Sequence, residues 1–172
     1  MVMSNTVIGR FLLFILLIVL QIALFNKIHL FGYATPLLYI YFIITLPGNM
    51  NRNLVLFLSA FLGLCIDWLN CTLGMNMLAC VVIGFSRRFF LDWLAPGDLF
   101  ENYIPSFRTF GIWPFLRYAF IMTLLHHIVL FTAESLSFFD PVTLIFRIVG
   151  SVILSILLIL ACESINLGIL KK

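Results

Sequence analysis

Charge is what this sequence has least of. Only 10% of its 172 residues are Asp, Glu, Lys or Arg, against about 25% in an ordinary soluble domain, while 63% are apolar or aromatic. Too few polar side chains exist to clothe such a core in water, which excludes a conventional soluble fold. Basic residues never run longer than Arg87-Arg88 or Lys171-Lys172, so the net charge of +3 is not arranged to grip a nucleic-acid backbone. Close cysteine pairs are missing as well. Cys65, Cys71, Cys80 and Cys162 lie scattered through apolar runs, without the spacings of zinc or dithiol sites, and read as small buried hydrophobes. Nor is there a glycine-rich phosphate loop, a His/Cys metal spacing, a serine elbow, a fixed repeat or a low-complexity tract. Asn70-Cys71-Thr72 has the form of a glycosylation acceptor, but in a turn too short to leave a membrane surface.

What the chain does have is long apolar runs, at about residues 7–25, 34–46, 54–69, 73–85, 113–133 and 142–160. A helix needs about 20 residues to cross the hydrocarbon. The first run follows Arg10 as a signal peptide would, yet ends at Phe25-Asn26-Lys27 without a small-x-small cleavage pattern, and reads as a retained membrane helix. Only Asn70-Cys71-Thr72 separates the third and fourth runs. A single helix through both would be about 48 Å long, well beyond one bilayer, so two helices and a tight turn are expected. Pro36 suits the first turn of the second helix, and Asp140-Pro141 suits the cap and first turn of the sixth. The expected fold is all-α and membrane-integral: one domain over 1–172, a six-helix transmembrane bundle whose solvent is the lipid bilayer. A loop over 86–112, bearing Arg87, Arg88, Trp93, Phe100, Tyr103 and Phe107, would lie along one interface.

Six crossings put both termini on one side. With the N-terminus inside, the cytoplasmic segments hold Arg10, Arg52, Arg87, Arg88, Arg108, Lys171 and Lys172, and the outer loops hold only Lys27, the bias the positive-inside rule expects.

Ionisable groups within a span are costly and mark function by default. Arg117, four residues past Trp113, can snorkel to the interface. Asp67, His126 and His127 fall at one depth, about 20 Å from the inner end of their helices, and Arg147 approaches that level from the outer end of the sixth run. With Gln21, Asn70 and Asn76 as neighbours, these form an expected polar cluster in which Asp67 pairs with at least one other group. Ala60, Gly63, Asp67 and Asn70 share a helix face by their spacing, a small-residue stripe permitting close approach, with Gly74 just beyond the turn. The alternative for Asp67 is a cap on that turn. His126 and His127 project about 100 degrees apart on a helix and are not placed to chelate one metal together.

The order of these residues resembles the rod-shape-determining MreD family of bacteria. The likeness rests on Gly63-Leu64-Cys65-Ile66-Asp67, then Leu73-Gly74-Met75-Asn76 and Ala79, with Leu20-Gln21, Pro36 and Leu46-Pro47 in support. It implies an inner-membrane component of the elongation machinery that builds lateral cell wall, without enzymatic activity or cofactor. It also implies a fold similar to the substrate-binding subunits of energy-coupling-factor vitamin transporters. The implied partners are an MreC-like membrane-anchored scaffold, wall synthases and an actin-like filament system. In that likeness Pro36, Gly63, Asp67, Asn70 and Gly74 shape helix packing or a partner surface. Two rivals remain: a vitamin-like small-molecule binding subunit of a transporter, using the Asp67, His126 and Arg147 level, and an intramembrane enzyme pairing Asp67 with a histidine.

Overall fold

In a computed structural model, the described residues are 7–25, 34–72, 74–95, 103–135 and 140–170, with side chains described through 166. Lys27, Leu73, Phe100, Lys171 and Lys172, named above, lie outside them. The described residues form seven helices and no strand: α1 (Val7–Ala23), α2 (Ile40–Ile44), α3 (Arg52–Asn70), α4 (Met75–Leu94), α5 (Phe107–Phe110), α6 (Ile112–Ser135) and α7 (Pro141–Leu170). Three of them, α3, α6 and α7, are long and apolar enough to cross a membrane. α1 is apolar over 17 residues. α4 matches α3 in length but carries Arg87, Arg88 and Asp92 in its second half.

The long helices pack in a series, α1 on α3, α3 on α4, α4 on α6 and α6 on α7, and α2 touches α1, α4 and α6. The distribution of polarity is inverted relative to a soluble protein. Gln21, Ser59, Thr123, His126, His127 and Ser155 are fully buried, whereas Phe57, Trp68, Phe89, Trp93, Phe146 and Ile165 are more than half exposed. Outward apolar faces on that scale need an apolar partner, and three helices long and apolar enough to cross a bilayer make that partner lipid: the chain is a helical membrane protein.

Two expectations are corrected here. Residues 34–46 do not form a membrane helix beginning at Pro36. Only Ile40–Ile44 is helical, and the chain before it is irregular but almost wholly buried. Thr35 precedes a proline, which disfavours helix, and irregular backbone is tolerated at membrane depth only where protein groups satisfy it. Those groups come from α1 and α7. The Thr35 amide donates to Ser151 Oγ at 2.9 Å and the Leu37 amide to Ser155 Oγ at 2.8 Å. Gln21 clamps the same stretch by accepting from the Leu38 amide at 2.8 Å and donating to the Pro36 carbonyl at 3.1 Å. The second correction concerns 86–112. The fourth helix does not stop at Phe85 but runs to Leu94, just before Pro96, so the start of the expected interfacial loop is helix. Arg87 faces inward there, 2% exposed, and its guanidinium donates to the carbonyls of Leu46 and Pro47.

Small residues set the α3–α4 distance. A Cβ on Gly63 would sit 2.4 Å from the Met77 Cα, and one on Gly84 would sit 2.5 Å from Ser59 Oγ. The buried seam of α3 is therefore Ser59, Gly63 and Asp67, with Ala60 only half-buried. Such seams give helices in lipid the close van der Waals contact that replaces the hydrophobic drive. α7 opens on Asp140, whose carboxylate accepts from the Val142 amide at 3.1 Å and the Thr143 hydroxyl at 2.6 Å, with Pro141 as the first helical residue.

Candidate functional site

Asp67, in the last turn of α3, faces the start of α4. The first N–H groups of any helix lack intrahelical partners, and the N-cap of α4, Gly74, has no side chain to serve them. The Asp67 carboxylate does so instead. One oxygen accepts from the Asn76 amide at 3.1 Å, the Asn76 side-chain amide at 2.9 Å and the Thr72 hydroxyl, and the other accepts from the Met77 amide at 2.8 Å. A negative charge at the positive end of the α4 dipole adds to this. The turn is closed by two left-handed residues, Cys71 at φ 54° and Gly74 at φ 77°, while the Thr72 amide returns to the Asp67 carbonyl at 3.0 Å.

From Asn76 the polar chain continues inward. Tyr39 donates its hydroxyl proton to Asn76 Oδ1 at 2.8 Å, and its oxygen lies 3.2 Å from His126 Nε2. With the Tyr39 proton so committed, the contact places the His126 proton on Nε2; its Nδ1 has no partner among the described residues. His127 makes a separate chain. Its Nδ1 stands 2.7 Å from the Thr123 carbonyl, which can only accept, so Nδ1 carries the proton and Nε2 accepts from Ser155 Oγ at 3.3 Å. Ser155 in turn receives the Leu37 amide. Both histidines are fully buried, their rings 5.8 Å apart and steeply inclined.

The expected cluster is thus divided by the structure into three parts. Asp67, Asn76 and His126 join through Tyr39; His127 serves the irregular segment through Ser155; Gln21 binds that segment from the other side, at Pro36. Arg147 joins none of them. It pairs with Glu134 at 2.8 Å and lies over the Phe131 ring, 4.6 Å from its centroid. Beside this pair opens a cavity of about 300 Å³ lined by Thr35, Asn70, Thr72, Asn76, Glu134 and Arg147 with apolar Leu37, Leu130 and Phe131. Asn70 and Asn76 are therefore cavity residues, Gly63 and Gly74 are packing and turn residues, and Arg117 is exposed.

Two contacts have the form of a nucleophile beside an imidazole, Ser155 with His127 and Cys80 with His126 at 3.8 Å. Cys80, Ser155 and both histidines are fully buried and none is among the residues lining the cavity. Among the described residues no three His, Cys, Asp or Glu side chains come together to hold a metal.

Sequence reasoning missed Tyr39, Ser155, Glu134 and Glu163. Glu163 is 1% exposed, accepting the Tyr41 hydroxyl at 2.7 Å and the Phe107 amide at 3.0 Å. The signal for α7 was present in the spacing: Ser151, Ser155, Ile159 and Glu163 recur every four residues, one buried stripe facing the 34–41 segment. Compared with protein-family models, curated proteins and solved structures, the chain matches none.

Proposed function

We propose that this chain is a non-enzymatic, multi-pass component of a bacterial cell-shape and elongation complex, resembling the MreD family. In this reading it sits in the inner membrane with both termini cytoplasmic and scaffolds lateral peptidoglycan synthesis through an MreC-like partner. The observation that carries the reading is the α3–α4 turn. Gly63, Asp67, Gly74 and Asn76, the residues on which the resemblance rests, converge on one device in which a carboxylate from one helix caps the next. Its acceptor positions are taken up by that cap, which is a structural use rather than a chemical one. Six crossings would count α1, the 34–46 segment, α3, α4, α6 and α7, and a fold like the vitamin-binding subunits belongs to the same proposal. The partner would be held through packing of lipid-facing helices, in which interhelical hydrogen bonds contribute only about 1 kcal/mol each.

The 300 Å³ outer cavity favours a second reading, a small-molecule binding subunit of a transporter, since ligand pockets begin at about that size. Gentle solubilisation of the tagged full chain, followed by mass spectrometry of what co-purifies, separates the two. Recovery of an MreC-like membrane-anchored scaffold or wall synthases is the expected result. Recovery of ATP-binding transport subunits or a bound small molecule instead would replace the first reading with the second.

A further inference from the structure

At the opposite end of the bundle from Asp67, three arginines meet where the α2–α3 turn abuts α4. A cavity of about 200 Å³ is lined there by Gly48, Met50, Arg52, Val55, Gly84, Arg87 and Arg88. No carboxylate is among the described lining residues. Beside them Asp92 pairs outward with Arg88 at 3.1 Å, both more than half exposed. Arg52 stacks on Phe85 at 4.2 Å and stands at the first position of α3, where the helix dipole disfavours a cation. Arg87 is almost wholly buried, meets the Leu46 and Pro47 carbonyls and the Tyr118 hydroxyl but no carboxylate among its described partners, and its Nε has no partner among the described residues. Arg10 lies within electrostatic range of it. Burying guanidinium charge is costly without a counter-charge, and a fork of arginines is the group that matches phosphate oxygens.

From this arrangement we infer that the cavity binds the phosphate of an anionic phospholipid. Basic pockets between helices at a membrane face take such headgroups. Here the acyl chains also have a place to lie. An open apolar groove formed by Phe89 and Trp93 adjoins the cavity across the Arg88–Asp92 pair, and Phe85, Phe89 and Trp93 are each more than half exposed on that side. The headgroup phosphate meets Arg52 and Arg88 at the rim and the Arg87 Nε–H within.

The test uses the purified full chain, stripped of lipid in neutral detergent and titrated with short-chain phosphatidylglycerol, phosphatidylcholine or inorganic phosphate. Trp fluorescence and the unfolding temperature report binding. Phosphatidylglycerol is expected to bind more tightly than phosphatidylcholine. Each basic contact at an anionic headgroup is worth about fivefold in affinity, so Arg52→Gln with Arg88→Gln lowers phosphatidylglycerol affinity by about 25-fold and leaves the lipid-free unfolding temperature unchanged. Arg108→Gln with Arg117→Gln, which removes two exposed charges away from the cavity, leaves the preference intact. Inorganic phosphate that stabilises the chain and competes through the same arginines would keep the phosphate site but make its ligand a soluble phosphate. Equal affinity for the two lipids, or an equal loss in both double variants, overturns the inference.

Discussion

Removing the Asp67 carboxylate is the most direct test of the α3–α4 device. In Asp67→Ala the amides of Asn76 and Met77, together with the Thr72 hydroxyl and the Asn76 side chain, lose their acceptor. A buried donor left unsatisfied costs about 1–3 kcal/mol, and loss of a helix cap costs about 1 kcal/mol in peptides and proteins. Thr72 is only half-buried and can find water. The two α4 amides dominate, giving a loss of about 3–5 kcal/mol. Asp67→Asn keeps one acceptor oxygen but turns an NH2 group toward one of the donors, so about half that loss is expected. Unfolding of the detergent-solubilised chain in a denaturing-detergent titration, followed by circular dichroism, measures both. A double-mutant cycle with Asn76→Ala should show coupling of at least about 1 kcal/mol, since the two side chains touch. Variants that unfold within about 0.5 kcal/mol of wild type would refute the capping argument. Normal stability with complete loss of cellular function would show that the carboxylate acts on something other than its own helix.

Other consequences follow from the same contacts. Gly63→Ala drives a Cβ into the Met77 backbone and should cost about 1–3 kcal/mol as overpacking, so a variant that unfolds within about 0.5 kcal/mol of wild type would contradict the close crossing; Gly74→Ala meets open space but must hold φ +77°, at about 1 kcal/mol. Gln21→Leu strips the clamp from Pro36 and Leu38 and should destabilise by about 2–4 kcal/mol, with faster hydrogen exchange over 35–38. The Asp140 carboxyl lies below the ordinary carboxylate range, chiefly because the Thr143 hydroxyl bonds to it. Its capping of α7 is then full above the unfolded-state pKa and fades as pH falls through the lowered folded value. Protection of the Val142 amide, taken relative to its intrinsic exchange rate at each pH, should fall on acidification, and Asp140→Ala should abolish that dependence.

How much of the molecule is legible in its sequence depends on whether a signal is local. Apolar runs mark helices because lipid rewards unbroken hydrophobic length; α1, α3 and α6 fall where their runs lie, and α7 begins with its run but continues past residue 160 to Leu170. The Asp67 turn is also a local event. Its capping residue, left-handed glycine and capped amides lie within ten residues, and so a cap could be weighed against a partner role from spacing alone. The second and fourth runs are different. Whether 34–46 winds into a helix depends on Ser155, 118 residues from the Leu37 amide it satisfies. Neither hydropathy nor proline position reports that. Arg87 in a basic stretch reads as a surface charge until the Leu46 and Pro47 carbonyls, about 40 residues away, draw it inward.

The sequence by itself determined that this chain suits a membrane, where the apolar helices α1, α3, α6 and α7 begin, and that a tight turn joins α3 to α4. Those outcomes follow from transfer free energy and short-range hydrogen bonding, both written in neighbouring residues. Only the tertiary structure decided that Arg147 pairs with Glu134 rather than Asp67, that the two histidines serve separate chains, and that an irregular segment runs through the bundle. In lipid the backbone polar groups of an irregular segment need protein partners, and which ones they find depends on helices packed together from distant parts of the chain.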